Sequence, residues 1–148
     1  MKLVELARIL ALGAHADQKY GGHPYSYHLQ MVVSKVEELY PESPKLDLLK
    51  TVAWLHDIVE DTDMTLDKLS ELGFPADVTE AVGLLSKPDN CNGIYYTEYL
   101  KEITTYSLAF KVKVADTMAN LTQSTKEGSV SRVKKYSYQL NSLFELKK

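Results

Sequence analysis

The sequence predicts an all-α fold. Its apolar residues recur mostly at three- and four-residue intervals, which is the spacing of one helix face, and almost nowhere alternate as they do in a strand. The chain has 148 residues, of which 45% are hydrophobic, and this is enough material for a buried core. Groups of Gly, Pro and Asn separate the apolar stripes. We therefore expect one helical domain over residues 1–148, with about eight helices.

The first three helices are predicted from apolar stripes and from the residues that end them. One stripe predicts a helix from about residue 2 to about residue 18, which the segment Tyr20–Pro24 ends. A second helix carries Met31–Leu39 and stops before Pro41. The third helix is predicted over residues 45–61.

Capping residues set the other boundaries. Thr65 is suited to cap the start of a short fourth helix, and Gly73 is suited to end it. Pro75 suits the start of a fifth helix that ends near Lys87. After a turn over residues 88–93, the last three helices are predicted over residues 94–104, 109–124 and 129–146.

Composition and charge exclude several classes of protein. Seventeen Lys and Arg residues against twenty Asp and Glu residues give a net charge of −3, so the chain lacks the basic excess of a nucleic-acid-binding protein. Its apolar runs are far shorter than the roughly 20 residues that span a bilayer. The single cysteine, Cys91, leaves no internal disulfide and fits a reducing compartment. We expect a cytoplasmic protein that binds neither nucleic acid nor membranes.

Ionisable residues interrupt an otherwise apolar part of the third predicted helix: His56, Asp57, Glu60 and Asp61. On a continuous helix they lie within an arc of about 140°, so they face one shared space. Buried ionisable groups are costly without partners, and a metal ion would neutralise such a cluster. An isolated His-Asp pair is usually only hydrogen-bonded, and an isolated acidic pair is usually solvated. Two further candidates in similar settings, His28 and Asp116, favour a metal site instead.

The order of these residues resembles the H…HD…D signature of HD-domain metal-dependent phosphohydrolases. More narrowly, the chain is similar to the hydrolase domain of the RelA/SpoT family and to the stand-alone small alarmone hydrolases of the Mesh1 type. The similarity extends over nearly the whole chain. The segments that carry it are His15–Gln18, Gly22–His28, Leu55–Thr62, Ser86–Lys87, Lys113–Asp116 with Asn120, and Glu127–Gly128 with Arg132 and Tyr136.

The resemblance implies a helical bundle around a divalent metal ion whose ligands are His28, His56, Asp57 and Asp116. Two imidazoles and two carboxylates suit a borderline divalent ion. The resemblance implies Mn²⁺, while Fe²⁺, Zn²⁺, Co²⁺ and Ni²⁺ fit the same ligands. It also implies that Glu60 and Asp61 position the attacking water and transfer protons.

The implied activity is hydrolysis of guanosine 3′,5′-bis(diphosphate) and its pentaphosphate, (p)ppGpp, to GDP or GTP and pyrophosphate. The expected substrate contacts are Lys19, Tyr20, Lys87, Asn120, Arg132 and Tyr136. Alarmone hydrolases usually carry Arg-Lys where this chain has Lys19-Tyr20, so one cation is missing. This departure keeps a second activity open, namely a phosphatase or pyrophosphatase on another nucleotide, such as the 2′-phosphate of NADPH.

Two other classes of function also stay open. The chain could be a non-catalytic HD module that binds a nucleotide, although its complete set of candidate ligands and acidic residues argues against this. It could also be a helical interaction protein, or a homo-oligomer. The last predicted helix then presents an apolar stripe to a partner, although the stripe also fits the core: Val133, Tyr136, Leu140 and Leu143.

Overall fold

Nine helices and one short hairpin form the structure, a computed structural model that describes residues 1–148. The all-α prediction is confirmed. The elements are α1 (Leu3–Ala14), β1 (Lys19–Tyr20), β2 (His23–Pro24), α2 (Tyr25–Leu39), α3 (Leu46–Leu55), α4 (Ile58–Asp61), α5 (Leu66–Glu71), α6 (Ala76–Leu85), α7 (Ile94–Thr104), α8 (Ser107–Lys126) and α9 (Val130–Lys147).

The third predicted helix is not continuous, and this accounts for the ninth helix. It breaks at His56 and Asp57, where the backbone of Asp57 has φ −107° and ψ 1°. In an unbroken helix the Ala53 carbonyl would accept from the N–H four residues later. Here that carbonyl accepts a hydrogen bond from Nδ1 of the His56 side chain at 2.7 Å. The His56 side chain thus competes with the helix for a backbone acceptor.

The hairpin between α1 and α2 was not predicted. Its strands pair Lys19 with Pro24 and Tyr20 with His23, with Gly21 at φ +59° in the turn. The first helix consequently ends at Ala14 rather than near residue 18. Strands of two residues are too short to show an alternating pattern in the sequence.

The predicted caps are present where the sequence placed them. The Thr65 side chain accepts from the Lys68 N–H at 3.1 Å, and α5 ends just before Gly73, which has φ +101°.

Helix α6 begins at Ala76, so Pro75 is its N-cap rather than its first residue, and the helix ends at Leu85 rather than near Lys87. Helix α7 has the predicted bounds, Ile94–Thr104. This prediction succeeded because the apolar stripe and the turn before it indicate the same helix.

The buried hydrophobic residues form one cluster, and α8 lies at its centre. This helix packs against α2, α3, α6, α7 and α9. Leu143 of α9 is fully buried and Leu140 packs against the cluster, so this part of the apolar stripe of the last helix belongs to the core. None of the helices combines the length and the apolar character needed to cross a bilayer.

Replacing Leu143 with Ala tests the position of α9. Leu143 is 0% exposed, so the Leu143→Ala protein should lose about 2–5 kcal/mol of unfolding free energy in urea denaturation. Tyr138→Ala is the matched control on the same helix, because its side chain is 75% exposed and its removal leaves no cavity. Equal losses in the two variants would contradict the packing.

Candidate metal centre and cleft

Three side chains from separate parts of the chain converge inside the bundle. His28 lies in α2, His56 directly follows α3, and Asp116 lies in the middle of α8. One potential ligand atom from each lies within 4.8 Å of the other two. Nε2 of His28 is 2.9 Å from Oδ1 of Asp116, and Nε2 of His56 is 3.4 Å from the same oxygen. All three residues are buried.

The hydrogen bonding of the two imidazoles suits metal ligation. The bond from His56 Nδ1 to the Ala53 carbonyl leaves Nε2 as the atom that faces the carboxylates. That Nε2 atom is buried and makes no well-directed hydrogen bond, although Oδ2 of Asp57 lies 3.0 Å away, and Nδ1 of His28 is buried without a partner. Buried polar atoms without partners are rare, and a metal ion would satisfy the His56 nitrogen. Two imidazoles and a carboxylate suit a borderline divalent ion, so these residues fit a metal centre.

Asp57 lies at the edge of this group. Its Oδ2 atom is 3.0 Å from Nε2 of His56, and the Tyr25 hydroxyl donates a hydrogen bond to it. Asp57 is nevertheless outside the set whose ligand atoms all lie within 4.8 Å of one another. Its role as a fourth ligand stays a prediction.

The buried charges shift one another's pKa values. Burial alone would lower the pKa of His56, but Asp57 and Asp116 raise it well above its usual value. Burial would raise the pKa of Asp57, but His56 lowers it to about 2. Burial likewise opposes ionisation of Asp116, yet Lys113 and His56 hold its pKa well below the usual range. These opposite shifts share one physical cause, which is the short distance between the His56 imidazole and the two carboxylates.

The candidate ligands form the base of an open cleft of about 730 Å³. This volume is in the range of small-molecule sites. Tyrosines form much of the wall: Tyr20, Tyr25, Tyr96, Tyr99, Tyr136 and Tyr138. Aromatic walls over a charged base suit a ligand with a flat ring and an anionic group.

The two predicted catalytic carboxylates both line a smaller pocket of about 420 Å³, which shares Glu60 and Lys87 with the cleft. Glu60 lines the cleft, and its Oε1 atom accepts from the Lys87 backbone N–H at 2.6 Å. Burial, assisted by Asp57 and Asp61, raises the pKa of Glu60. Asp61 does not line the cleft, and its Oδ2 atom accepts from Nε2 of Gln18 at 3.0 Å.

Four of the six predicted substrate contacts line the cleft: Tyr20, Lys87, Asn120 and Tyr136. The Tyr20 ring stacks on His28 with centroids 4.6 Å apart, and its hydroxyl donates to Oδ1 of Asn120 at 2.7 Å. Lys19 and Arg132 are not part of the lining. Lys19 is exposed on the hairpin, and Arg132 pairs with Glu127 at 2.8 Å.

Lys113 is a cleft residue for which the sequence analysis assigned no role. Its Nζ atom is 3.3 Å from Oδ2 of Asp116, and it lines the cleft. Burial alone would lower the pKa of Lys113, but Tyr99 and Asp116 raise it. The sequence contains one indication of this position, which is the three-residue spacing from Lys113 to Asp116 that places both side chains on one face of α8.

Fold and site together define a helical bundle with a cluster of His and Asp residues that could hold a metal ion, lying in a cleft. No protein-family model matches the sequence, and no curated protein matches it. A solved structure does match, that of a metazoan ortholog of SpoT described as hydrolysing ppGpp and playing a role in starvation responses. The two chains are 20% identical, with a TM-score of 0.80 over 100% of this chain and 86% of the other. They share one fold, as the motif resemblance implied.

Substitution of single candidate ligands tests the metal centre. The wild-type chain should bind a divalent ion such as Mn²⁺, and His28→Ala and Asp116→Asn should each abolish that binding in isothermal titration calorimetry. His23→Ala should bind as the wild type does, because His23 stacks on Tyr27 and is not part of the cluster. Full binding by His28→Ala would show that the ion sits elsewhere.

The raised pKa of His56 predicts that metal binding releases a proton. In the metal-free protein the carboxylates of Asp57 and Asp116 raise the pKa of His56 and so favour its protonated form, whereas a ligand imidazole must be neutral. Affinity should therefore rise with pH, by up to about tenfold per unit while His56 titrates. Calorimetry at one pH in two buffers of different protonation enthalpy counts the released protons. Binding without proton release would contradict the His56 assignment.

Proposed function

We propose that the chain is a metal-dependent phosphohydrolase that removes the 3′-pyrophosphate of (p)ppGpp. The observation that carries the proposal is the convergence of His28, His56 and Asp116 at the base of the cleft. The fold shared with a ppGpp-hydrolysing protein supports it. The single cysteine supports a cytoplasmic setting.

The proposed resident ion is Mn²⁺, held by the three converging residues with Asp57 as the fourth ligand. When bound, such an ion lowers the pKa of a coordinated water and polarises a phosphoryl oxygen. Tyr25 orients Asp57 through its hydroxyl, and the Ala53 carbonyl orients His56. Partners of this kind keep ligand side chains in one orientation.

Glu60 is the proposed proton acceptor. Its carboxylate lies in the cleft, and its raised pKa brings it closer to the value that suits a general base near neutral pH. Water attacks the phosphorus of the 3′-diphosphate, and the bond from that phosphorus to the ribose 3′ oxygen breaks. Glu60 takes a proton from the water and passes it to the 3′ oxygen, so that the nucleotide leaves as GDP or GTP with a free 3′ hydroxyl and the other product is pyrophosphate. Asp61, held by Gln18, lines a smaller pocket together with Glu60, and its proposed role is to help position the water and transfer the proton.

The proposed substrate contacts divide into two groups. Tyr20, Asn120, Tyr136 and Lys87 lie along the cleft and contact the nucleotide there. Lys19 and Arg132 act from outside the lining, where flexible cationic side chains attract the phosphates before binding.

One observation favours a second substrate. Tyr20 contributes a neutral ring and a hydroxyl beside His28, where a cation would favour a substrate with two diphosphate groups. A nucleotide that carries less charge suits this wall better. Hydrolysis of another nucleotide phosphate, including the 2′-phosphate of NADPH, is therefore the second candidate.

A substrate panel tests both candidates. The Mn²⁺-loaded protein should release pyrophosphate from ppGpp and pppGpp, and the second candidate predicts orthophosphate from NADPH or another nucleotide instead. Glu60→Gln should lower kcat about 10²- to 10⁴-fold while keeping the metal, because general-base catalysis is removed. Glu80→Gln, an exposed carboxylate outside the cleft, is the control and should keep full activity.

Each result of the panel has a distinct meaning. Unchanged turnover by Glu60→Gln would remove Glu60 from the mechanism. No release from any nucleotide, together with tight nucleotide binding in calorimetry, would identify a non-catalytic binding module.

A further inference from the structure

Lys113 places a cationic group in the wall of the cleft. Its side chain is 14% exposed, and its ammonium nitrogen lies 3.3 Å from Oδ2 of Asp116. The other oxygen of that carboxylate, Oδ1, faces His28 and His56. The ammonium therefore pairs directly with one candidate ligand, Asp116, and is separated from the two candidate imidazoles by that carboxylate.

The hydrogen-bonding capacity of this ammonium is mostly unused. A lysine ammonium carries three N–H donors. Within the chain it has one acceptor, Asp116, and it lies 5.7 Å from the centre of the Tyr99 ring. A partly buried cation with donors to spare is stabilised by an anion, and the cleft is the open space beside it.

The other lysines of the cleft are arranged differently. Lys87 is exposed, and the contact it makes with Glu60 is through its backbone N–H. Lys135 is also exposed and lies over the Tyr136 ring, with its nitrogen 5.2 Å from the ring centre. Of the three cleft lysines, Lys113 alone forms an ion pair with a candidate metal ligand.

We propose that Lys113 is a catalytic residue that binds a non-bridging oxygen of the phosphoryl group being hydrolysed. This proposal rests on the proposed function and extends it. A fixed ammonium beside the reacting phosphorus stabilises the negative charge that builds up on its oxygens. It also selects substrates whose scissile group is a phosphate or diphosphate anion, whatever nucleoside carries it.

A purely structural role is the alternative, in which Lys113 only holds Asp116 in place. Lys113→Met separates the two roles, because it keeps an unbranched side chain and removes the charge. Lys111→Met is a closely matched control. Lys111 lies on the same helix over a tyrosine ring, that of Tyr40 at 5.4 Å, and it does not line the cleft.

Calorimetry with inorganic pyrophosphate on the Mn²⁺-saturated full-length protein gives the decisive readout. Lys113→Met should bind pyrophosphate about 10- to 100-fold more weakly than the wild type, which is the effect of losing one charge-assisted hydrogen bond. Its Mn²⁺ affinity should not fall. Lys113→Arg should recover part of the pyrophosphate affinity, and Lys111→Met should match the wild type in both titrations.

The outcomes separate this proposal from the proposed function. Pyrophosphate binding by Lys113→Met that equals the wild-type binding would overturn the proposal. A loss of Mn²⁺ affinity as large as the loss of pyrophosphate affinity would also overturn it, because it would indicate that Lys113 only positions Asp116. If circular dichroism shows that Lys113→Met does not fold, the Lys113→Arg variant decides. Pyrophosphate affinity within tenfold of the wild-type value supports an anion contact. The absence of pyrophosphate binding overturns the proposal. Wild-type protein that binds pyrophosphate but cleaves no nucleotide refutes the proposed function alone.

Discussion

The whole site depends on one buried carboxylate. Asp116 lies in the middle of α8, the helix at the centre of the bundle. One of its oxygens faces two imidazoles, and the other faces an ammonium. An unpaired carboxylate at this depth would be strongly destabilising, so its partners must be in place when the helices pack. The folding of the core and the assembly of the candidate metal centre are therefore one physical requirement.

The helices were predictable where two independent signals agreed. The bounds of α7 follow from an apolar stripe together with the turn residues that surround it. The break at His56-Asp57 was not predictable from periodicity, because it depends on a side chain that takes a backbone acceptor. The hairpin at Lys19–Pro24 was missed for a different reason, since two-residue strands have no period to detect.

The sequence predicted those site residues whose polarity or position distinguishes them from their neighbours in the chain. Asp116 stands out as an ionisable residue in an apolar segment and His28 by its place after a turn, and the structure brings both to His56. Lys113 does not stand out in this way, because a lysine on a helix is usually exposed. Its depth depends on the ion pair with Asp116 and on the tyrosine wall, which only the three-dimensional structure shows.

Because of the break between α3 and α4, the residues of the site lie on helices of very different length. His28 and Asp116 belong to helices of 15 and 20 residues, whereas Glu60 lies on a helix of four residues. A single helical turn has little stability of its own, and the Glu60 carboxylate is tied instead to the backbone after α6. The position of Glu60 therefore depends on the burial of Ile58 and on this single hydrogen bond, whereas His28 and Asp116 are placed by the long helices that form the bundle.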